Sequence, residues 1–591
     1  MFTLGIHDGH NSGACIFHYG KLIFSISEER ITRKKNEYGY PINSIKKCLD
    51  KANIKPSEIN NVAVSTKYLP PKYFLVKRNT TFKINDYMKE QNDYWYPKIY
   101  LKKNIEYLKV FKNKIINKSY LLYNFDNIKN EDDLIGMQHS RRDLISDHLN
   151  IKKDKIFFYD HHECHAYYGF YGKNGGKERN PNAVVVLDGG GDGSNASIWK
   201  SEKKSLKLIY KTNLGNIGRM YRYATLMLGM KPTEHEFKIM GLAGYSLKND
   251  YYEKAINIYR NTLNINGIKF YYKYKPLDNF FYFKDKLQNE RFDTISYAIQ
   301  YNTERLLFEW FNNISNKLKT KNFVFSGGVA QNIKATKKIL ESKKINSIYI
   351  PPGPGDESLP IGAVYNHLSK INYKLEISSM KNPYISSDYN DKDLSFIKRE
   401  KNLFVRKVKP KEVAKILFKG EPIGRFSLNK GEFGPRALGN RSILADPRKQ
   451  DILNIINKKI KVRDFWMPFA PSILSEDANK FLHIIKKHKS TYMTISFDTK
   501  NYGQINIPAA VHPFDKTARP QIVYKNINKE YYLLIKEFKK ISKVGALLNT
   551  SFNLHGEPIV ESPQDALRTF KKSGLKYLYL GNYLIKKTKL K

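Results

Sequence analysis

The chain has 591 residues, with 102 Lys or Arg against 56 Asp or Glu, a formal net charge of +46. Its 41% apolar and 13% aromatic content is too rich in Tyr and Phe for disorder, and its length predicts two to four domains. No apolar run approaches the roughly 20 residues of a membrane span, and Met1 leads directly into a strand-like segment, which argues against secretion. The three cysteines, Cys15, Cys48 and Cys164, are odd in number and widely spaced, which argues against a disulfide framework or a Cys-based zinc site and fits a cytoplasmic protein.

In chain order, the apolar segments 2–6, 14–17 and 22–26, with the turn-forming run 8–13, predict a β-hairpin with a glycine-rich loop of the kind that holds phosphate. Residues 40–52 have helical spacing and 61–65 read as a strand, so the class is α/β. Residues 67–155 form a basic, aromatic insertion. Between Lys67 and Lys118 there are thirteen Lys or Arg, among them Lys72, Lys77, Arg78, Lys102 and Lys103, interleaved with Tyr73, Phe74, Phe82, Tyr87, Tyr94, Trp95 and Tyr96. Cations that neutralise phosphates and rings that stack on bases are what a nucleic-acid groove requires, and those five cations are its candidate contacts. A solvated helical insertion has the same composition, and composition leaves the two open. Codon bias of an AT-rich genome explains abundant Lys but not scarce Asp and Glu, whereas a polyanionic partner explains both.

Strand 156–159 leads into His161-His162-Glu163-Cys164-His165, strand 183–187 into Asp188-Gly189-Gly190-Gly191-Asp192-Gly193, and strand 323–325 into Ser326-Gly327-Gly328-Val329-Ala330. On a helix His161 and His165 share one face, the arrangement two imidazoles need to hold one metal ion. Asp188 and Asp356, each after a strand, are candidates to complete the set, and mixed N/O donors suit Fe(II), Mn or Zn. The alternative is a packed, hydrogen-bonded pair. Residues 378–401 are polar and read as a linker, 412–418 as a helix and 422–426 as a strand. The expected domains are therefore 1–377 and 402–591, with no internal repeat.

These motifs occur in a fixed order: Gly9-His10-Asn11-Ser12-Gly13-Ala14, the His161/His165 pair, the Asp188 run, Glu236-Phe237-Lys238-Ile239-Met240-Gly241-Leu242-Ala243, and Gly327-Gly328-Val329-Ala330-Gln331-Asn332. The second half adds Gly434-Pro435-Arg436-Ala437-Leu438-Gly439-Asn440-Arg441-Ser442, Pro468-Phe469-Ala470-Pro471 and Asn549-Thr550-Ser551-Phe552-Asn553. In this order they resemble the NodU/CmcH family of O-carbamoyltransferases, which includes the tobramycin carbamoyltransferase. The resemblance covers nearly the whole chain except the insertion.

The resemblance implies an actin-like ATPase domain, similar to the threonylcarbamoyl-transfer enzymes, followed by a YrdC-like α/β domain. The YrdC-like part would make carbamoyl adenylate from carbamoyl phosphate and ATP with Mg; the actin-like part would pass the carbamoyl group to a hydroxyl. Phosphates and the carbamoyl group would meet Arg436, Arg441, Arg463, His512, Arg519, Asn549 and Ser551. His10 would be the base, with His7 its rival. The metal at His161, His165, Asp188 and Asp356 would grip a phosphate or polarise the carbonyl. Gly189, Gly190, Gly327 and Gly328 would let backbone approach the nucleotide, with Lys238 on phosphate and Asn332 on adenosine. One motif departs from the family's His-Xaa-Asp-Gly-Thr run: His512-Pro513-Phe514-Asp515-Lys516-Thr517 has Lys in place of Gly.

The charge and the insertion point to DNA as partner, with 5-hydroxymethylcytosine as acceptor in a viral DNA hypermodification, reached by base flipping. A sugar or antibiotic-like small molecule is the alternative acceptor. A nucleic-acid-binding ATPase-like protein without transfer is the reading from a different class. A homodimer is compatible with any of these.

Overall fold

In the computed structural model, residues 1–177, 182–246, 250–374 and 376–588 are described, and they fall into two compact units, Met1–Lys381 and Asn382–Lys591. The chain opens with strands β1 (Phe2–His7), β2 (Gly13–His18) and β3 (Lys21–Ser27), an antiparallel meander around the expected hairpin. β4 (Ile59–Ser65) then pairs parallel to β1, and β5 (Ile156–Tyr159) parallel to β4, giving the order β3-β2-β1-β4-β5. Parallel neighbours need a crossover. The whole insertion, 66–155, is that crossover.

The second half of this unit repeats the plan. Strands β6 (Ala183–Gly191), β7 (Ser194–Glu202) and β8 (Ser205–Thr212) form another meander, followed by a small hairpin of β9 (Leu263–Asn266) and β10 (Lys269–Tyr272). β11 (Asn322–Ser326) lies parallel to β6 and β12 (Ser347–Tyr349) parallel to β11, so the sheet reads β8-β7-β6-β11-β12. The order matches that of the first sheet, strand for strand. This duplicated α/β arrangement is the one expected for the actin-like class, and it corrects the expectation of no internal repeat: the repetition lies in topology, which sequence similarity need not preserve. The helices His161–Asn174 and Leu359–Lys370 fill the space between the sheets. A carbon added to Gly362 would come within 2.1 Å of the Cys164 carbonyl, and one on Gly5 within 2.3 Å of the Pro360 carbonyl, so the two helices and β1 meet where side chains are missing.

The second unit is built on one eight-stranded mixed sheet. Its strands are β13 (Leu403–Lys407), β14 (Ile423–Phe426), β15 (Arg441–Ala445), β16 (Ala470–Leu474), the short pair β17 (Phe497–Asp498) and β18 (Thr517–Ala518), β19 (Gln521–Val523), β20 (Ala546–Ser551), β21 (Tyr577–Leu580) and β22 (Tyr583–Lys587). The pair β17 and β18 stands apart, and the main order is β13-β22-β21-β14-β15-β20-β16-β19. The segment 378–401 is not the expected linker. Ser378 accepts the Leu22 N–H and the Met380 N–H bonds Gly172, while Leu394 and Ile397 enter the second core beside Phe426. Its polar residues concealed apolar anchors spaced three apart. Among the described residues, no helix is long and apolar enough to cross a membrane.

Candidate active sites

In the first unit the candidate residues converge at the carboxyl ends of the parallel strands, where loops are free to present side chains. His10 sits in the turn after β1, His161 and His165 on the helix after β5, Asp188 near the end of β6 and Asp356 after β12. One ligand atom from each of His161, His165, Asp188 and Asp356 lies within 4.8 Å of all the others. His165 Nε2 is 3.0 Å from Asp188 Oδ2 and 3.4 Å from Asp356 Oδ1, and His161 Nε2 is 3.7 and 3.6 Å from the same atoms. Both Nε2 atoms are buried, yet neither is aligned for a hydrogen bond. Burial alone would lower the His165 pKa, but the two carboxylates outweigh it and push it up to about 9. The site is short of positive charge. Thr66 Oγ1 lies 3.0 Å from His161 Nδ1, fixing that ring as metal-bound imidazoles are usually fixed. The donor set therefore fits one divalent cation.

His10 joins the same centre. Its Nδ1 is 3.0 Å from Asp356 Oδ2, and its side chain remains 31% exposed. Burial opposes a charge on the ring, but Asp356 prevails and raises the pKa. His7, the rival base, is fully buried between Ser65 Oγ at 2.9 Å and the His10 carbonyl at 3.1 Å, and burial lowers its pKa to about 3. It holds the turn and does not face solvent.

The glycines divide by role. Gly189 and Gly190 are exposed, and a carbon added at Gly189 would meet nothing. Gly191 lies against the His161 ring, at 2.3 Å from an added carbon. Gly327, at φ +90°, would collide with the Leu187 carbonyl, so chain packing on β6 accounts for it. Gly328 donates its N–H to Asp188 Oδ2 at 3.2 Å. Lys238 is half-buried on the helix Glu236–Ala243. Asn332 caps the helix Ile333–Glu341 and its carboxamide pairs with Gln300 at 2.9 and 3.0 Å, which commits most of its hydrogen-bonding capacity within the fold.

Within the insertion, three of the five candidate nucleic-acid contacts are paired inside the fold. Lys72 is buried, 2.6 Å from Asp132 and over the rings of Tyr94 and Tyr107 at 5.4 Å. Lys77 pairs with Glu37 at 2.9 Å, and Arg78 Nε with Glu90 at 2.6 Å. Phe82, Tyr87, Tyr94, Tyr107 and Phe111 form a core with Leu226 and Phe280. These three cations pair with carboxylates of the same chain and these rings bury one another, so neither set is presented to a polymer. Lys102 and Lys103 alone of the five are exposed.

In the second unit Arg436, Arg463 and Arg519 lie close enough for their charges to act on one another. Burial first, and then Arg436, lower the Arg463 pKa to about 10; burial, Arg436 and Arg463 lower that of Arg519. Three guanidiniums that repel one another form a site for an anion. Arg463 is oriented by Thr550 Oγ1 at 2.9 Å, and Ser551 Oγ accepts from Lys461 Nζ at 3.1 Å. His512 Nδ1 lies 3.3 and 3.2 Å from the N–H groups of Phe514 and Asp515 and 3.3 Å from the Asp515 carboxylate. Lys516, at the position of the family's glycine, has φ +54°, so the loop keeps a glycine-like shape despite the side chain. Arg441 departs from expectation. It is buried against Phe426, its terminal nitrogens donating to the Ser427, Asn440, Ser387 and Asn429 carbonyls, so it ties loops together and does not face a phosphate. Asn549 is likewise internal, donating to the Ala437 carbonyl and Ser472 Oγ.

Several contributors were not among the expected site residues. Asp192 accepts the N–H groups of Lys67, Tyr68 and His161 at 2.8–2.9 Å and so ties the end of β4 to the histidine helix. Arg141, from the insertion, binds Asp8 through both carboxylate oxygens at 2.6 and 2.9 Å and also donates to the Ser65, Thr66 and Lys67 carbonyls. Lys461 is buried in the second unit, and the next residue, Val462, is a β-branched residue at φ +46° and 72% exposed. Such strain collects where structure serves a site. The Lys461-Xaa-Arg463 spacing was the available signal for Lys461.

Residues 3–365 match the model of the carbamoyltransferase N-terminus and residues 414–587 that of the carbamoyltransferase C-terminus. An uncharacterized protein of Methanocaldococcus jannaschii is 33% identical, the match covering 99% of this chain and 100% of that one. Nodulation protein NolNO of Sinorhizobium fredii is 27% identical over 98% of this chain and 79% of its own. Among solved structures, component A of the (R)-2-hydroxyglutaryl-CoA dehydratase of Acidaminococcus fermentans covers 63% of this chain and 100% of its own, at 14% identity and a TM-score of 0.32, too low to carry weight. The family matches set aside the non-catalytic reading. The chain belongs to the carbamoyltransferase family, and it is a carbamoyltransferase.

Proposed function

We propose that the enzyme moves a carbamoyl group from carbamoyl phosphate to an alcohol through carbamoyl adenylate, consuming ATP with Mg. In this reading the second unit, as a YrdC-like domain, forms the adenylate. Carbamate is a weak electrophile, and joining its oxygen to AMP converts that oxygen into part of a good leaving group. The Arg436, Arg463 and Arg519 cluster supports this step, because guanidiniums drawn together suit the charge and fork geometry of phosphates. Lys461 and His512 are assigned to the same step.

The first unit carries the transfer. The observation that bears most weight is the 3.0 Å approach of His10 Nδ1 to Asp356. That contact holds the Nδ1–H tautomer and leaves the Nε2 lone pair to take the acceptor's hydroxyl proton as oxygen attacks the carbamoyl carbon and AMP departs. A divalent ion, Fe, Mn or Zn, held by His161, His165, Asp188 and Asp356 would polarise an oxygen of the donor. Gly189, Gly190 and Lys238 are assigned to the nucleotide.

For the acceptor, the internal pairing of Lys72, Lys77 and Arg78 favours a small hydroxylated molecule such as a sugar. DNA carrying 5-hydroxymethylcytosine is the second reading, favoured by the net charge of +46 and the exposed Lys102 and Lys103. The test is incubation with carbamoyl phosphate, ATP, Mg and Mn, together with either sugars or hydroxymethylcytosine DNA. Pyrophosphate release and mass spectrometry for a carbamate ester on each acceptor are then measured. No pyrophosphate under any condition refutes the adenylate route; an ester on DNA alone refutes the small-molecule acceptor.

A further inference from the structure

The helix Leu134–Leu149 of the insertion sends one completely buried side chain, Arg141, toward the first centre. All five of its N–H groups are engaged. Nε and Nη2 donate to the two oxygens of Asp8 at 2.9 and 2.6 Å, Nη1 to the Thr66 and Lys67 carbonyls at 2.9 and 3.0 Å, and Nη2 again to the Ser65 carbonyl at 3.3 Å. Gln138, three residues earlier and so on the same helix face, adds a second donor to the Lys67 carbonyl at 3.1 Å.

Neutralising Asp8 takes two of those donors. The other three go to consecutive carbonyls, and what they fix is the backbone of residues 65–67. Asp192 holds the same stretch through its N–H groups, accepting from Lys67 and Tyr68 at 2.9 and 2.8 Å. Between these clamps Thr66 is buried at φ +62°, a left-handed conformation that a β-branched residue keeps only where its surroundings impose it. Its Oγ1 lies 3.0 Å from His161 Nδ1. When His161 Nε2 binds an ion, Nδ1 carries the ring proton and donates to that oxygen, which sets the orientation in which Nε2 meets Asp188 and Asp356.

We propose that Arg141 is a positioning residue for the metal ligand His161, acting through the backbone at Thr66, and that the insertion is thereby a working part of the transfer centre. The assignment rests on the metal reading of His161, His165, Asp188 and Asp356. It depends on the guanidinium fork. A lysine keeps the charge opposite Asp8, but its single ammonium does not reach Asp8 and three carbonyls together.

The test is isothermal titration of the full chain with Mn(II) and with Zn(II), without nucleotide or acceptor. Arg141→Lys and Thr66→Val should each weaken binding by about 10–100-fold, the usual loss when the partner of a metal-bound imidazole is removed. The double variant should bind no more weakly than the weaker single one, because both substitutions cut the same path. Arg78→Lys disturbs a buried ion pair in the same insertion, so it should lower Tm and leave metal affinity unchanged, which separates positioning from support of the fold. Wild-type affinity in either Arg141→Lys or Thr66→Val overturns the inference. So do losses that multiply in the double variant, or a loss in Arg78→Lys equal to that in Arg141→Lys. Any of these results leaves the metal reading standing, whereas a wild-type chain that binds neither ion refutes the metal reading and the inference together.

Discussion

The two candidate centres are electrostatic opposites. In the first unit two half-buried carboxylates stand among imidazoles, push His165 up to a pKa of about 9 and raise that of His10, so the site lacks a cation. In the second unit three arginines are drawn together, and burial and their mutual repulsion depress Arg463 and Arg519, an arrangement suited to an anion. The insertion shows what a cation looks like when nothing is lacking: Arg78, its side chain 12% exposed, is met by Glu90, which also accepts from the Tyr107 hydroxyl. Counting charges in a sequence does not separate these cases. Partners within about 4 Å do, because Coulomb energy in a partly buried site falls off over that range far more steeply than composition varies.

The comparison breaks first at His10. His10→Ala should lower carbamoyl transfer by about 10²–10⁴-fold, the usual contribution of a positioned base, while pyrophosphate release continues. Loss of both activities would move His10 out of the transfer step. Arg436→Ala should do the reverse, lowering pyrophosphate release by about 10²–10³-fold, as for loss of one preorganised donor. Because the cluster repels itself, its Tm should hold or rise, and a marked fall would mean the arginine is structural.

A third variant sharpens the contrast with the insertion. Glu90→Ala should cost about 3–5 kcal/mol of stability by stranding Arg78, read from urea melts at neutral pH. Burial alone would raise the Glu90 pKa, but Arg78 prevails and lowers it. The carboxylate's contribution is therefore present above the unfolded value near ~4.3 and is lost as pH falls through the folded one. The gap between wild type and variant should accordingly narrow in acid, and a constant gap would refute the ionic account. The smallest effect is expected for Lys102→Glu with Lys103→Glu. Both residues are exposed, so Tm should not move, and only the salt dependence of retention on a DNA column would change if DNA is a partner.

Much of the first centre was legible because its chemistry is local. His161 and His165 are four residues apart on a helix, and each glycine run follows a strand, so both fall within the reach of periodicity and turn chemistry. Asp188 and Asp356, 168 residues apart, were legible as candidates because each follows a strand, but nothing local to either said that they would meet. Arg441 stood in a matched motif and still proved internal, since a motif preserves a structural arginine as faithfully as a phosphate-binding one. Lys72 and Arg78 misled for a different reason. Their partners Asp132 and Glu90 were present in the sequence, but nothing in it says which carboxylate a lysine meets.

Sequence by itself determined the α/β class, the hairpin and glycine turns, the paired histidines and the family, all of which follow from short-range spacing or from motif order. Tertiary structure alone decided that the first unit is two copies of one sheet plan, that the supposed linker is packed, and that Lys72, Lys77 and Arg78 are paired within the fold. Each of these depends on contacts between residues far apart in the chain, and the free energy of such a contact is set by desolvation and distance, quantities that exist only once the chain has folded.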